Sequence, residues 1–539
     1  MKPVLPLFLF FFPFILVAQY DQSKEIEAQQ KHENPRMRFK LLQPRAATYV
    51  PWAVFDKELE AFSENRYQEL RPLILEKDIF TLQKQINSRK LSYEELVLFY
   101  LYRIKKYESN PETALYTIIS LNPEALKLAR EKDRQLRNKK IKPTLFGMPI
   151  LLKDNIGFAG LPTTAGAVAL ADNFTEDAFI VKRLKEQGAI ILGKVNLSEW
   201  AYYFCEGCPL GYSAVGGQNL NPYGRKVFET GGSSSGSGVA VAANYAVAAV
   251  GTETAGSILS PSSQNSVVGL KPTVGLLSRT GIVPISSTLD TPGPMTKNVI
   301  DNAILLQAML GKDAADGASV ISEEDFTERI STATLKGKRL GVMKSLLERD
   351  SIYKKTAETL KALGAEVIEY DAPQAPLNNF LTLLNADMKK DLPKYLSSFA
   401  SKTVKIKSVT DVIAFNLKDT LLRRAYNQKI FETVAADTTS EARLEAIKNE
   451  LQTNGRIFFD VPMDEHKLDA VLSINNYHAA QAAVAKYPAI TVPMGYKITG
   501  EPISLTFITS PFKEADLLQL AFTFEQATKI RKPAQKYAE

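Results

Sequence analysis

The sequence predicts an α/β protein, because helical patterns alternate with short apolar strands along most of its length. Residues 177–203 contain an amphipathic helix, a stop at Gly188 and the apolar strand Ala189–Leu192. Residues 237–254 repeat this helix–strand unit with small side chains, which allow the helix to pack closely. Further strands are predicted near the C-terminus over residues 468–474, 487–496 and 503–510. Chains of this kind collect their strands in one sheet and pack the helices against it.

The remaining elements are predicted from periodicity and capping signals. Residues 19–72 form an arm, polar at first and then aromatic, that is expected to pack on the body. Helical spacing of apolar residues begins at residue 78, and Ser92 with Glu95 forms a capping box. Helices are predicted over 78–108, over 123–137 and from 513, with strands within 144–156, 338–344 and 365–371. The segment 313–460 is rich in Lys and Glu and mostly helical by pattern.

Composition places the chain among globular proteins. It has 539 residues, of which 45% are hydrophobic and 23% charged, and its formal net charge is +7. This length suits one large domain or a few ordinary ones. The basic residues form no long block, so a mixed solvated surface is favoured over nucleic-acid binding.

The N-terminus has the layout of a secretory signal peptide. Residues 1–18 combine a basic start with an apolar run, and the sequence then turns polar. The run of about 15 residues is shorter than the roughly 20 that a spanning helix needs. Cleavage is expected near Ala18 or Gln19, and an uncleaved anchor is the alternative. We therefore expect an exported protein, periplasmic or extracellular, with no membrane span after cleavage.

Metal and cofactor sites are not expected. Cys205 and Cys208, in "CEGC", supply only two of the four ligands that a structural zinc site needs. The three histidines have no metal-ligand spacing with them. In an oxidising compartment the two cysteines are able to close a small disulfide, whereas the flanking sequence gives little support to a redox motif.

The stretch "ETGGSSSGSGVAVA", residues 229–242, invites three interpretations: a flexible linker, a phosphate-binding loop or part of a catalytic floor. The Ala/Val helix that follows it argues against a linker. No Lys follows Gly236 or Gly238, so the phosphate-binding pattern fails. A serine nucleophile needs a base, but the histidines lie outside this region, and His478 has the setting of an ordinary helix-face residue.

A buried lysine is able to replace histidine as the base. Neutrality near pH 7 requires its pKa to fall by about 3 units, and burial produces shifts of that size. Lys153, at the end of the predicted buried strand in "GMPILLKDN", is placed for this role. The structural alternative is a buried salt bridge between Lys153 and Asp154.

Five motifs, in this order, resemble the amidase signature family: "GMPILLKDNI", "GGSSSGSGVAVAA", "GTETAGSILSPSS", "VVGLKPTVGLLSRTGIVPIS" and "DTPGPM". The resemblance is greatest to secreted peptide amidases and related bacterial amidases. It implies one large α/β/α domain over residues 73–539, with a twisted, mixed central sheet covered by helices. Residues 313–460 are then the more variable part that shapes the substrate pocket.

The resemblance implies a Ser–Ser–Lys triad. Lys153 is the base, Ser233 the bridging serine after the paired glycines, and Ser257 in "TAGSI" the nucleophile. The family's cis peptide bond falls at Gly232–Ser233. The proton of Ser257 is expected to pass through Ser233 to neutral Lys153 and to return to the leaving amine. Turn or cap roles are expected for the neighbouring serines, namely Ser235, Ser237, Ser260 and Ser262.

The resemblance places the oxyanion hole in the backbone N–H groups of Thr254, Ala255 and Gly256, next to that of the nucleophile. Many family members have Asp-Thr-Gly-Gly-Ser-Ile-Arg here, whereas this chain has Glu253, Ala255 and Leu259 at the corresponding places. The missing arginine weakens the case for carboxylate-bearing substrates.

The expected function is that of a cofactor-free amide hydrolase. Its substrate is a C-terminal peptide amide or a small aliphatic or aromatic amide, which yields a carboxylate plus ammonia or an amine. One alternative is the A-type subunit of an aminoacyl-tRNA amidotransferase, which works in the cytoplasm with partner subunits; the predicted signal peptide argues against it. A silent binding protein on the same scaffold is the other, and the complete triad argues against that. No nucleic-acid partner is expected, and the oligomeric state is left open.

Overall fold

A computed structural model describes residues 21–44, 50–136, 143–330 and 332–538. The predicted signal peptide, residues 1–18, lies outside this described part. Among the helices of the described residues, none is both long enough and apolar enough to cross a membrane.

The strands of the described residues are mostly short and buried. In chain order they are β1 (Ile118–Leu121), β2 (Pro149–Lys153), β3 (Ile190–Val195), β4 (Tyr212–Ser213), β5 (Gly217–Gln218), β6 (Ala248–Glu253), β7 (Val268–Lys271), β8 (Thr291–Thr296), β9 (Arg339–Met343), β10 (Glu366–Tyr370), β11 (Ala470–Ile474), β12 (Ala489–Tyr496) and β13 (Pro502–Ile508).

The α-helices of the described residues are α1 (Ser23–Gln29), α2 (Asp56–Ala61), α3 (Glu64–Ile74), α4 (Ile79–Asn87), α5 (Tyr93–Glu108), α6 (Ala125–Leu136), α7 (Phe179–Glu186), α8 (Ser235–Ala242), α9 (Leu259–Gln264), α10 (Val299–Met309), α11 (Phe326–Ile330), α12 (Lys344–Arg349), α13 (Ser351–Ala362), α14 (Phe380–Ser398), α15 (Val409–Leu417), α16 (Thr420–Arg423), α17 (Lys429–Ala436), α18 (Glu441–His466), α19 (Ala479–Ala485) and α20 (Glu514–Thr528).

One large mixed sheet organises the fold, and helices flank it. In the described residues its eleven strands follow the order β1-β3-β2-β6-β8-β7-β12-β13-β11-β9-β10, and β4 and β5 form a separate hairpin. Strands β3, β2 and β6 run parallel to one another, as do β11, β9 and β10. The antiparallel strands β8, β7, β12 and β13 connect these two groups. The predicted α/β class, with one large mixed sheet, is confirmed.

The periodic elements of the sequence match the structure closely. Every predicted strand is present, and the capping box of Ser92 and Glu95 begins α5 with both of its hydrogen bonds formed. The helix predicted over 78–108 is in fact two helices, α4 and α5, because Arg89 adopts a left-handed backbone conformation (φ 61°) between them. Strands β1, β4, β5, β7 and β8 are additional to the predicted elements.

The N-terminal arm shares the main hydrophobic core. Phe39 and Leu42 of the arm are buried in the same continuous cluster as Leu151 of β2 and Val250 of β6. The boundary expected between residues 72 and 73 lies inside α3. The arm is therefore packed into the body along its described residues.

The helices between residues 380 and 466 build a second core. Leu383 of α14, Val412 of α15, Phe431 of α17 and Leu444 of α18 are buried in one cluster with Trp200. The rings of Trp200 and Phe431 lie 5.3 Å apart between centroids. This second core packs the helix-rich segment against the chain that follows β3.

Candidate active site

Lys153 ends β2, a strand that lies between two parallel neighbours, β3 and β6. Its side chain is fully buried. Lys153 Nζ lies 2.8 Å from Ser233 Oγ, 2.8 Å from Thr252 Oγ1 and 3.1 Å from the Thr252 carbonyl oxygen. The amine therefore reaches from one central strand to the hydroxyl of Thr252 on the neighbouring strand β6 and to that of Ser233, just before α8.

Burial lowers the pKa of Lys153 to about 7, against the opposing effect of Asp290 and Glu253, whose charges raise it. The cause is desolvation, which disfavours the charged form of a lysine that has no water around it. A large share of the Lys153 amine is therefore neutral at pH 7, the state that a base requires.

The alternative role for Lys153, a salt bridge with Asp154, is wrong. Asp154 pairs instead with Lys194 of β3, whose Nζ lies 3.3 Å from Asp154 Oδ1, and both side chains are fully buried. Thr164 donates its backbone N–H to the other carboxylate oxygen. Because a second lysine neutralises Asp154, Lys153 is left to the hydroxyl groups.

Ser233 is fully buried, and the peptide bond that joins it to Gly232 is cis, as the motif implied. Its carbonyl oxygen accepts a hydrogen bond from Ser198 N at 3.0 Å. The next residue, Ser234, accepts from Thr252 N at 3.1 Å through its hydroxyl oxygen. These contacts fix the Gly/Ser stretch against β6 and so position the Ser233 hydroxyl beside the lysine.

Ser257 lies in the loop between β6 and α9 and is half-buried. Its carbonyl oxygen accepts a hydrogen bond from Ser234 N at 3.1 Å. The structure thus joins the two serine-bearing segments through their backbones and brings Lys153 and Ser233 into direct contact. The catalytic roles of the three residues remain a proposal.

Glu253 closes the loop that carries Ser257, a role that the sequence did not predict. Its side chain is buried, and Oε2 accepts hydrogen bonds from Ile258 N at 2.6 Å and Leu259 N at 2.9 Å. Burial raises the pKa of Glu253, and the nearby Lys271 acts in the opposite direction. One carboxylate therefore ties the end of β6 to the start of α9, and the intervening residues are held in a tight turn.

Asp290 also holds the loop that contains the expected oxyanion hole. Thr254 donates its hydroxyl to Asp290 Oδ1 at 2.5 Å, and Asp290 Oδ2 accepts from Ile285 N at 2.8 Å. Gly256 has φ +96°, and a side chain there would also approach Asn476. Glycine is required at this turn because other residues rarely adopt that conformation.

Three neighbouring serines lie in short helices: Ser235 and Ser237 in α8, and Ser262 in α9. Ser237 donates to the carbonyl oxygen of Val250 in β6 at 3.1 Å, which anchors α8 to the sheet. The buried hydroxyls of Ser235 and Ser262 have no hydrogen-bond partner among the described residues. None of these three contacts Lys153, in keeping with turn or helix roles.

A cavity of about 340 Å³ lies beside this cluster, and we call it the side cavity. Its wall includes Asn155, Thr252 and Thr254, together with residues of the segment 279–292 and of α14. Asn155 Nδ2 donates to Thr252 Oγ1 at 3.0 Å, so the cavity wall and Lys153 share one hydroxyl group. No pattern in the sequence indicates this shared contact.

The histidine and cysteine residues take no direct part in this cluster. His478 Nδ1 lies 2.7 Å from Ser473 Oγ, and burial lowers the pKa of His478 to about 4. Cys205 and Cys208 form a disulfide. In the described ranges, no three His, Cys, Asp or Glu side chains are grouped so that they could hold a metal ion.

Comparison with known proteins places the chain in a family. The sequence profile of the family described as Amidase matches residues 95–518, which is more than half of the chain.

The chain belongs to the amidase family.

Individual proteins are also similar to the chain over most of its length. A probable amidase of Arabidopsis thaliana is 38% identical to this amidase over 479 residues, covering 85% of this chain and 91% of the relative. The crystal structure of native peptide amidase from Stenotrophomonas maltophilia superposes with a TM-score of 0.81 at 37% identity, covering 85% of this chain and 98% of that one. The A-type subunit of the glutamyl-tRNA(Gln) amidotransferase of Thermoanaerobacter pseudethanolicus is 31% identical over 489 residues, covering 85% of this chain and 97% of the relative. This amidase is an amide hydrolase of the amidase signature type, as the motifs implied.

Proposed function

We propose that this amidase hydrolyses primary carboxamides, in particular the C-terminal amide of a peptide or an amino acid, to a carboxylate and ammonia. The observation that carries the proposal is the 2.8 Å contact between Lys153 Nζ and Ser233 Oγ in a fully buried setting. A lysine whose pKa burial has lowered to about 7 is able to accept a proton through that contact.

Ser257 acts as the nucleophile in this proposal. Its Oγ bonds to the amide carbonyl carbon while its proton passes to Ser233 Oγ, whose own proton passes to Lys153 Nζ. When the tetrahedral intermediate collapses, the C–N bond breaks and the relay returns the proton to the leaving nitrogen, which departs as ammonia. Water then attacks the acyl-enzyme with the same proton relay and releases the carboxylate.

The negative charge on the carbonyl oxygen needs donors that are already in place. The backbone N–H groups of Thr254, Ala255 and Gly256 are the proposed oxyanion hole, together with that of Ser257. Two carboxylates that hold this loop support the proposed oxyanion hole. Glu253 accepts a hydrogen bond from Ile258 N, and Asp290 accepts one from the Thr254 hydroxyl. A loop fixed in this way needs little rearrangement when charge develops.

The choice of substrate rests on the likeness to the peptide amidase and on the site itself. That protein is 37% identical over most of both chains. Leu259 stands where many family members have arginine, so no guanidinium is present there to bind a substrate carboxylate. Residue 259 therefore offers no support for a carboxylate-bearing substrate.

The test is ammonia release from a panel of peptide amides, aliphatic and aromatic amides and acylated amines. We expect release from peptide amides, labelling by a fluorophosphonate probe, and loss of both in Ser257→Ala. Lys153→Met removes the proton acceptor and is expected to lower activity by about 10²-fold or more while the protein stays folded.

Each outcome bears on a different part of the proposal. Equal probe labelling of wild type and Ser257→Ala would show that another residue is the nucleophile. Full activity in Lys153→Met would remove the lysine from the relay. Activity only with acylated amines would overturn the substrate class, and no activity on any amide would favour the silent binding protein. The amidotransferase role is favoured only if activity requires partner subunits.

We further propose that the chain is exported after cleavage near Ala18 or Gln19, as its basic and then apolar N-terminus suggests. The N-terminal sequence of the protein recovered from outside the cytoplasm tests this. A chain that still begins at Met1 and stays with the membrane would show an uncleaved anchor.

A further inference from the structure

The side cavity has an apolar wall that suits an aliphatic chain. Its volume of about 340 Å³ falls in the range of small-molecule pockets. The apolar residues in its wall include Ile282, Val283, Ile285, Pro292 and Phe399. Because Thr254 of the proposed oxyanion loop is also part of the wall, a group in the cavity lies beside the reacting amide.

The positively and negatively charged side chains of the cavity wall are not equal in number. The guanidinium of Arg279 is engaged by Asp316, with Nε 2.8 Å from Asp316 Oδ2, so this pair is neutral as a whole. The wall has two further carboxylates, those of Asp391 and Asp290. Among the described residues, neither forms an ion pair within 4.0 Å. Lys394, the other cation of the wall, is exposed; burial raises the pKa of Asp391, and the charge of Lys394 lowers it. Three carboxylates and two cations thus line the cavity.

Asp391 is the carboxylate best placed to meet a ligand. It is 7% exposed and lies on α14, which lines the cavity together with the segment 279–292. Its Oδ2 accepts a hydrogen bond from Ser287 N at 2.6 Å, which fixes the side chain against that segment. Asp290, by contrast, accepts from Thr254 and from two backbone N–H groups and is occupied in holding the loop.

Asn155 is a fixed part of the cavity wall. It is 2% exposed, and its Nδ2 donates to Thr252 Oγ1 and to the Val283 carbonyl oxygen, which fixes the orientation of the amide. Its Oδ1 is buried and has no hydrogen-bond partner among the described residues.

We propose that the side cavity binds a positively charged side chain of the substrate, an aliphatic stem that ends in an ammonium or guanidinium group paired with Asp391. This inference rests on the proposed function. If ammonia is the leaving group, every other part of the substrate belongs to its acyl half, and the cavity beside Thr254 holds a piece of that half. The substrates are then amides of basic amino acids, either free or at the C-terminus of a peptide.

The experiment compares three blocked amino-acid amides that differ in side-chain charge: N-acetyl-lysinamide, N-acetyl-norleucinamide and the α-amide of N-acetylglutamate. Norleucine keeps an aliphatic stem without the ammonium group. We expect kcat/KM for the lysine amide to exceed that for the norleucine amide by about tenfold or more. The glutamate amide is expected to be the poorest of the three.

The variant Asp391→Asn keeps the hydrogen-bond acceptor for Ser287 but removes the charge, and we expect its lysine-to-norleucine ratio to fall toward one. The control on the same helix is Asp387→Asn, one turn earlier on α14. Asp387 accepts the Ser286 hydroxyl, pairs with Lys448 Nζ at 3.6 Å and lies outside the cavity wall. The ratio of this variant is expected to match that of the wild type.

The outcomes separate the two proposals. Hydrolysis of the norleucine amide as fast as the lysine amide by the wild type would leave the hydrolase intact and overturn the charged subsite, even if Asp391→Asn fails to fold. An unchanged ratio in Asp391→Asn, or an equal fall in Asp387→Asn, would also overturn it. Hydrolysis of none of the three amides would overturn the proposed function and the subsite together.

Discussion

At the scale of single residues, we expect the protonation of Lys153 to govern the pH dependence of the reaction. Its pKa, which burial lowers to about 7, means that the amine gains a proton as the pH falls through that value. A protonated base accepts nothing, so we expect kcat/KM to fall about tenfold for each pH unit below about 7. The measurement is kcat/KM for a neutral primary amide between pH 5 and pH 9.

Asp290 has to be separated from Lys153 in this profile, because burial raises the pKa of Asp290 to about 6. In Asp290→Asn the inflection should persist if it belongs to the lysine. It should also move to lower pH, since the Asp290 charge raises the pKa of Lys153 in the wild type. A wild-type rate that stays constant down to pH 5 would exclude Lys153 as the titrating base.

The lysine and the bridging serine of this site were predictable from sequence motifs, but the groups that surround them were not. Thr252 contacts Lys153 across 99 positions of the chain, and Thr254 contacts Asp290 across 36. Spacing along a single sequence carries no signal for such pairs, because the fold alone brings them together. For Asp154, adjacency in the sequence was misleading. Its position next to Lys153 suggested an ion pair between the two, whereas its partner is Lys194 of the parallel strand β3.

At the scale of elements, the short helix α9 depends on Glu253. Replacing this residue by alanine leaves the N–H groups of Ile258 and Leu259 without their acceptor. It also removes one of the two carboxylates, Glu253 and Glu514, that act on Lys271. We expect Glu253→Ala to lower the free energy of unfolding by about 1–3 kcal/mol. We also expect kcat to fall, because the loop that carries Ser257 loses one of its two anchors.

Urea unfolding and steady-state kinetics of the purified variants check this. The matched variant Glu253→Gln keeps an acceptor for the two N–H groups and should recover part of both losses. Wild-type kcat in Glu253→Ala would show that the loop keeps its shape without the carboxylate.

Strand prediction succeeded for most of the continuously apolar strands, but it missed the short strands β1 and β7 and also β8, whose composition is unusual. Strand β8 contains Pro292 and Pro294, which are typical of edges and not of a central strand. The pairing explains their presence: β7 reaches only Met295 and Thr296 of this strand. Alongside the two prolines the ladder is therefore formed on one side only, with β6, and a missing N–H group is tolerated there.

At the scale of the whole molecule, the N-terminal arm is part of the folding unit. Phe39 is 2% exposed and belongs to the main core. Leu42 accepts a backbone hydrogen bond from Gln218 at 2.8 Å, beyond the reach of local sequence. Phe39→Ala is expected to lower the free energy of unfolding by about 3–5 kcal/mol, because it leaves a cavity in a packed core.

A surface residue of the same arm provides the control for this prediction. Arg36 forms an ion pair with Glu229 at 2.9 Å, and its side chain is 44% exposed. Arg36→Ala should therefore cost less than about 1 kcal/mol. If Phe39→Ala unfolds at the same urea concentration as the wild type, the arm is an appendage and not a part of the core.

The placement of Lys153 on a central strand has a consequence for how such enzymes diversify. The lysine is fixed by β2 and its neighbours, whereas much of the side-cavity wall comes from the loop before β8 and from α14. Mutations in that loop and helix are able to change the shape and charge of the wall while the strand that bears the base stays as it is. A lineage built on this plan has the means to exchange one amide substrate for another by small steps, each of which leaves a working hydrolase.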